Sequence, residues 1–157
     1  MLKKLLLISL VTLSLFGVEI IINKSSELIN LSSLTRDDIK ETVFDSSTGL
    51  LWQDSTSVKS VHKNWSKAKA YCQTLSFAGH NDWFLPSIEQ LENIVDVKQY
   101  NPAIKNSFKY AISSDYWSST GYDNSSNDAW YVNFTYGSSD INGKAHKYYV
   151  RCAWTGQ

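Results

Sequence analysis

Two cysteines, Cys72 and Cys152, are the only ones in the chain, and they place the tightest constraint on how it folds. Cys72 falls where Trp65, Ala68, Cys72 and Leu75 recur at helical spacing, so the four share one face of a helix. Asn64 precedes that helix as an N-cap, its side-chain oxygen placed to accept from an otherwise unpaired backbone N–H. Cys152 falls in residues 147–154, whose alternation predicts a closing strand. Tyr148, Val150, Cys152 and Trp154 lie on one face of that strand, Tyr149 and Arg151 on the other. Both cysteines therefore point inward. In an exported chain, two inward cysteines make a disulfide the default. A catalytic or metal-binding thiol needs a depressed pKa and a neighbouring base, and nothing in the local sequence supplies either.

Export is read from the first residues. Lys3 and Lys4 precede an apolar run from Leu5 to Phe16, and Gly17 is small enough for a signal peptidase. We expect a signal peptide over 1–17 cut after Gly17, with an uncleaved N-terminal anchor as the alternative. The run ends at Glu19, short of the ~20 apolar residues that span a bilayer. No transmembrane helix is expected once the signal is removed, and the destination is periplasm, cell surface or medium. Losing Lys3 and Lys4 from 15 basic residues leaves 13 against 15 acidic ones. That balance argues against a nucleic-acid partner, whose electrostatic footprint is a basic excess.

Residues 18–40 have no clean period and read as an N-terminal leader. Ile20–Ile22 is either a strand or the tail of the export segment, and Leu28, Leu31 and Leu34 fit a short helix face. The domain proper is expected over 41–157. It opens with a hairpin, Thr42–Phe44 against Leu50–Gln53, turned by Asp45 and Gly49. After the first helix, Ser87 and Gln90 form a capping box behind Pro86, and Ile88, Leu91 and Val95 make a second apolar stripe. Residues 96–114 are mixed, with a turn at Asn101–Pro102. Residues 116–120 read as a strand and 121–128 as a polar loop. The next strand, 129–136, has Trp130, Val132 and Phe134 on one face and Tyr131 and Asn133 on the other; 137–144 is again turn-rich. The predicted class is α+β, with two helices packed on small, twisted antiparallel sheets.

Candidate chemistry is sparse. His62, His80 and His146 lack ligand spacing, so no metal or other cofactor is expected. The stretch 123–128 is rich in oxygen ligands but lacks the central Gly and terminal Glu of an EF-hand loop. A solvated loop is the simpler account, with weak calcium binding as its rival. No nucleophile elbow, P-loop or dinucleotide fingerprint occurs, and Asp82, Glu89, Glu92 and Asp96 read more simply as helix-surface charge than as a glycosidase pair. Six Trp, nine Tyr and six Phe exceed what one core needs, and surplus rings make glycan-stacking platforms. The candidate ligand-binding residues are Tyr122, Asp123, Asn124, Asn127, Asp128 and Tyr136 in the late loops. Lys59, Lys63 and Lys67, with Lys69, form a cationic run beside the first helix, suited to acidic glycans or to plain solvation.

Five short motifs occur in order: Thr48-Gly49-Leu50-Leu51-Trp52-Gln53, Asp82-Trp83-x-Leu85-Pro86, Tyr116-Trp117-Ser118-Ser119-Thr120, Ala129-Trp130-x-Val132-x-Phe134 and Tyr149-Val150-Arg151-Cys152. Together the set resembles the Lcl C-terminal domain family, named after the end domain of a bacterial collagen-like adhesin. That family sits within the C-type-lectin-like and formylglycine-generating-enzyme-like fold group. The resemblance implies a C-type-lectin-like fold closed by one long-range bridge. Trp52, Trp65, Trp83, Pro86, Trp117, Trp130 and Arg151 are then structural motif positions. Phe84 stands where the signature usually has Arg, and no Gly-X-Y repeat precedes the domain. The calcium-ligand tripeptides of sugar-binding lectins and the active cysteine pair of the formylglycine-generating enzymes have no counterpart. The implied function is an exported, non-enzymatic module that binds glycan or another surface ligand. Two alternatives stand beside it, an envelope interaction subunit and a diverged enzyme.

Overall fold

The computed structural model describes residues 11–15, 18–22 and 33–156. A first unit contains the antiparallel ribbon β1 (Val11–Leu15) and β2 (Val18–Ile22), with Val11 opposite Ile22. The ribbon covers part of the segment read as the export signal. The rest of that segment, and leader residues 23–32 with Leu28 and Leu31, lie outside the described residues.

The second unit starts at Ser33. In chain order it comprises β3 (Leu34–Asp37), β4 (Thr42–Asp45), β5 (Leu50–Gln53), a 3-10 turn (Thr56–Lys59), β6 (His62–Lys63), α1 (Trp65–Gln73) and α2 (Ile88–Glu92). It continues with β7 (Asp115–Tyr122), β8 (Ser125–Asn133), β9 (Ser138–Gly143), β10 (Tyr148–Tyr149) and β11 (Ala153–Thr155). One sheet runs β11-β5-β4-β3, the other β6-β10-β7-β8-β9. All pairings are antiparallel except β10 with β7. The end of the expected leader thus supplies an edge strand, Leu34–Asp37, to the first sheet.

Both helix starts follow their local chemistry. Asn64 Oδ1 accepts from Lys67 N at 3.1 Å, and Ser87 and Gln90 close a reciprocal capping box. The helix α2 stops at Glu92, so Val95 lies past it and bridges to Ile104 instead of extending the apolar stripe.

Three expectations are corrected. Residues 147–154 are not one strand: β10 and β11 belong to different sheets, and Val150, Arg151 and Cys152 cross between them, all buried. Arg151 therefore does not face outward. The polar loop expected over 121–128 shrinks to a tight turn at Asp123–Asn124, because β7 and β8 run on to Tyr122 and from Ser125. The turn-rich stretch 137–144 is mostly strand β9, at the edge of its sheet. In both places the strands project beyond the core and are wet on both faces. Apolar alternation, the usual sequence sign of a strand, is therefore missing.

The core divides across β7–β8. Tyr116, Val132 and Phe134 pack with Val43, Trp52, Leu91, Ile94 and Phe108 on one side. Trp117, Ala129 and Val150 pack with Ala68, Cys72, Trp83, Leu85 and Cys152 on the other. Cys72 and Cys152 are bonded, Cα atoms 5.5 Å apart, and tie α1 to the inter-sheet crossing. Phe84 pairs with Ala153 through hydrogen bonds of 2.8 and 2.9 Å, joining the segment ahead of α2 to β11. Trp83 Nε1 donates to His80 O at 3.2 Å, Trp117 Nε1 to Lys63 O at 3.1 Å, and Pro86 O accepts from Ser119 N at 2.7 Å. These motif residues hold loops onto the core.

Candidate functional site

The late-loop residues divide on inspection. Tyr122 lies at the end of β7 with its ring edge-on to Trp130, centroids 6.0 Å apart. Asn124 Nδ2 donates to the Tyr122 hydroxyl at 3.0 Å. Asp123 and Asn124 are exposed in the turn, whereas Asn127 and Asp128 lie in β8, Asn127 O accepting from Lys144 N at 2.8 Å and Asp128 pairing with Gly143. The six-residue oxygen-rich stretch is thus drawn out along a ribbon. Among the described residues no group of three or more His, Cys, Asp or Glu is gathered as metal ligands.

The lysines are also distributed. Lys59 ends the 3-10 turn, Lys63 lies in β6, and Lys67 sits on the first turn of α1. Two other contacts stand out. Lys69 Nζ and Lys144 Nζ each lie 4.5 Å from the centroid of Trp65, whose Nε1 donates to Ser118 O at 2.8 Å. Trp65 is a fixed ring carrying two cations.

Tyr136 is the late-loop residue next to a cavity, which its neighbour Gly137 lines. Asn133, ending β8, turns the chain. Its Oδ1 accepts from Thr135 N at 2.9 Å and Tyr136 N at 3.2 Å, and its carbonyl accepts from Gly137 N at 2.8 Å. Gly137 has φ +75°, and a Cβ there would lie 2.8 Å from Val95 Cγ1, so only glycine fits this close approach. Facing the turn is the loop 94–105, closed on itself by Lys105 N to Ile94 O at 3.0 Å. It is bolted to the turn by Asn101 N to Thr135 O (3.2 Å) and Ala103 N to Phe134 O (2.7 Å).

These two supports carry Tyr100 and Tyr136. Their rings are 67% and 66% exposed, with centroids 5.8 Å apart and planes inclined at 45°. Val97, 80% exposed, belongs to the same loop. A cleft of about 490 Å³ is lined by Glu92, Val95, Asp96, Val97, Lys98, Lys105 and Gly137. Asp96 is tied down by Lys98 N (3.0 Å) and Gln99 Nε2 (3.2 Å), and Glu92 accepts from Ser139 Oγ at 2.5 Å. The lining combines the apolar Val95 and Val97 with the charged Glu92, Asp96, Lys98 and Lys105. Sequence reasoning singled out Tyr136 but not Tyr100, which is set beside it by pairing between segments far apart in the chain.

The family model of the Lcl C-terminal domain matches residues 41–153. The chain belongs to that family. The matched stretch of this Lcl C-terminal domain includes both cysteines, Arg151 and the Tyr100–Tyr136 pair. A search of curated proteins returned no match. Among the described residues no helix is long and apolar enough to cross a membrane.

Proposed function

We propose that this Lcl C-terminal domain is an exported, non-enzymatic module that binds a surface glycan through the Tyr100–Tyr136 rim and the adjoining cleft. The observation that carries the reading is the pair of rings, each two-thirds exposed, clamped on backbone-locked supports. Exposed rings on stiffened loops lose little entropy when a sugar ring stacks on them. Export to the periplasm, cell surface or medium is supported by the charged and apolar N-terminal run and by the disulfide. A glycan array probed with the exported protein and with Tyr100→Ala/Tyr136→Ala tests it. The expected result is signal on a defined glycan group that the double variant loses. No signal from the unaltered protein at low salt contradicts it.

A second reading has its own observation. Trp65 with Lys69 and Lys144 offers a ring and two ammonium groups to an acidic glycan or acidic protein segment. Loss of array signal in Lys69→Ala/Lys144→Ala, with the tyrosine variant unaffected, favours this patch over the rim.

A further inference from the structure

A second group of rings and charges lies on the α1 side of the five-stranded sheet. The register sets Asp115 opposite Asn133, Trp117 opposite Tyr131, Tyr131 opposite Asp140 and Ala129 opposite Asn142, so alternate residues of three strands share that face. Tyr148 packs on Trp117 and Tyr131, with centroids 4.5 and 4.8 Å away. Its hydroxyl accepts from Asn142 Nδ2 at 2.5 Å. Asn142 is itself fixed by Gly143 N, 2.7 Å from its Oδ1. Accepting from Asn142 leaves the Tyr148 proton free to donate outward.

The carboxylates are the informative part. Asp115 accepts from Asn133 Nδ2 at 2.7 Å, and Asp140 Oδ1 from Ile141 N at 2.8 Å. Among the described residues neither has a Lys, Arg or His nitrogen within 4.0 Å, whereas Asp38 and Asp54 each hold an arginine. Lys144, four residues beyond Asp140, is committed to Trp65 and to Ser126 O at 2.6 Å. Burial pushes the Asp115 carboxyl above its ordinary range. Burial first, then Asp115, Tyr148 and Asp140, push the Tyr131 phenol up to about 12. The fold therefore keeps a partly buried negative charge beside ring surfaces without a counter-ion of its own. A hydroxyl only donates a hydrogen bond to such a carboxylate; a protonated amine donates and also neutralises its charge.

We propose that Tyr131, Tyr148, Asp115, Asp140 and Asn142 form a second binding site, for the protonated primary amine of an amino sugar. The ammonium lies between the two carboxylates against the phenol rings, and the free Tyr148 proton meets a ring hydroxyl. The sugar half of this assignment rests on the carbohydrate reading above; the ammonium half stands without it.

The test is an NMR titration of the full chain with glucosamine, N-acetylglucosamine and n-butylammonium. Glucosamine and n-butylammonium are expected to move the Tyr131, Asn142 and Tyr148 resonances, with the acetylated sugar at least about tenfold weaker for want of the charge. Asp115→Asn and Asp140→Asn, the latter on an exposed side chain that the core does not need, should each weaken the amine probes. Added salt should weaken them too. Tyr100→Ala/Tyr136→Ala should abolish the array signal yet leave the glucosamine shifts, which separates failure of this site from failure of the rim. Equal binding of both sugars, or no response to either amine, overturns the site; response to n-butylammonium alone overturns the amino-sugar assignment.

Discussion

Arg151 Nη1 donates to Asp54 Oδ1 at 2.9 Å, and neither side chain has any exposure to water. Around that contact Asp54 also accepts from Arg36, from Lys109 N at 2.8 Å and from Tyr110 N at 3.1 Å, while Arg151 donates to Gln53 O at 2.7 Å and to Tyr110 O. Burial pulls the Arg151 pKa below the ordinary arginine range, and Tyr116 opposes that pull. Four segments meet here, so the pair fixes where the chain crosses between sheets. Removing Asp54 strands the buried Arg151 charge, whereas removing Arg151 leaves Asp54 held by Arg36 and two backbone N–H groups. Asp54→Ala should cost about 3–5 kcal/mol in urea unfolding and Arg151→Leu less, with the double variant below the sum.

The Cys72–Cys152 bridge closes a separation of 80 residues. Joining positions that far apart restricts the unfolded chain strongly, so Cys72→Ala/Cys152→Ala should lose about 2–5 kcal/mol. That is a large part of a typical total of about 5–15 kcal/mol, and a lowered Tm by calorimetry checks it. Alkylation of the unreduced protein should label neither sulfur.

Gly137 links stability to the rim. Alanine there must hold φ near +75° and push its Cβ against Val95 and Ala103, the latter 3.2 Å away. Gly137→Ala should cost about 1–3 kcal/mol and displace Tyr136, weakening glycan binding along with stability. Gly49, with φ +72° and nothing within 4 Å of its Cβ position, is the control: Gly49→Ala should cost about 1–2 kcal/mol and leave binding unchanged.

Asp115 and Tyr131 each contribute to the pH dependence. The folded Asp115 carboxyl holds its proton more tightly than the unfolded one. Its contribution is therefore full below the ordinary value of 3.8 and is lost as pH rises through the raised folded value. Asp115→Asn should thus raise Tm at neutral pH, with the gain vanishing in acid, even as amine binding falls. A charge that opposes folding yet is needed for binding is the signature of a site. The Tyr131 phenol, raised from 10.0 to about 12, contributes fully below pH 10 and loses that contribution up to about 12. Tyr131→Phe should flatten the alkaline limb of the stability curve across that window.

Local chemistry made the helices readable from the sequence. Asn64 and the Ser87–Gln90 box act within one turn, and the apolar face of α1 shows in Trp65, Ala68 and Cys72, with Leu75 just past the C-cap Thr74. The hairpin of β4 and β5 was equally plain, since Gly49 and Asp45 make their turn alone. Strand β9 was not legible, because an edge strand of Ser, Asp, Asn and Gly has the composition of a loop. The change of sheet at Arg151 was hidden because residues 147–154 alternate as a single strand would, although core on both sides buries Val150, Arg151 and Cys152 alike. Tyr100 was missed for a third reason: it joins Tyr136 through backbone bonds from 101 and 103 to 134 and 135, which no local pattern announces.

The most direct test is calorimetric titration of the strongest array glycan into the unaltered protein and into Tyr136→Ala, with Tm measured on both. The rim reading predicts at least about tenfold weaker binding by the variant, or 1.4 kcal/mol, at an unchanged Tm. Equal affinity in the two proteins contradicts it.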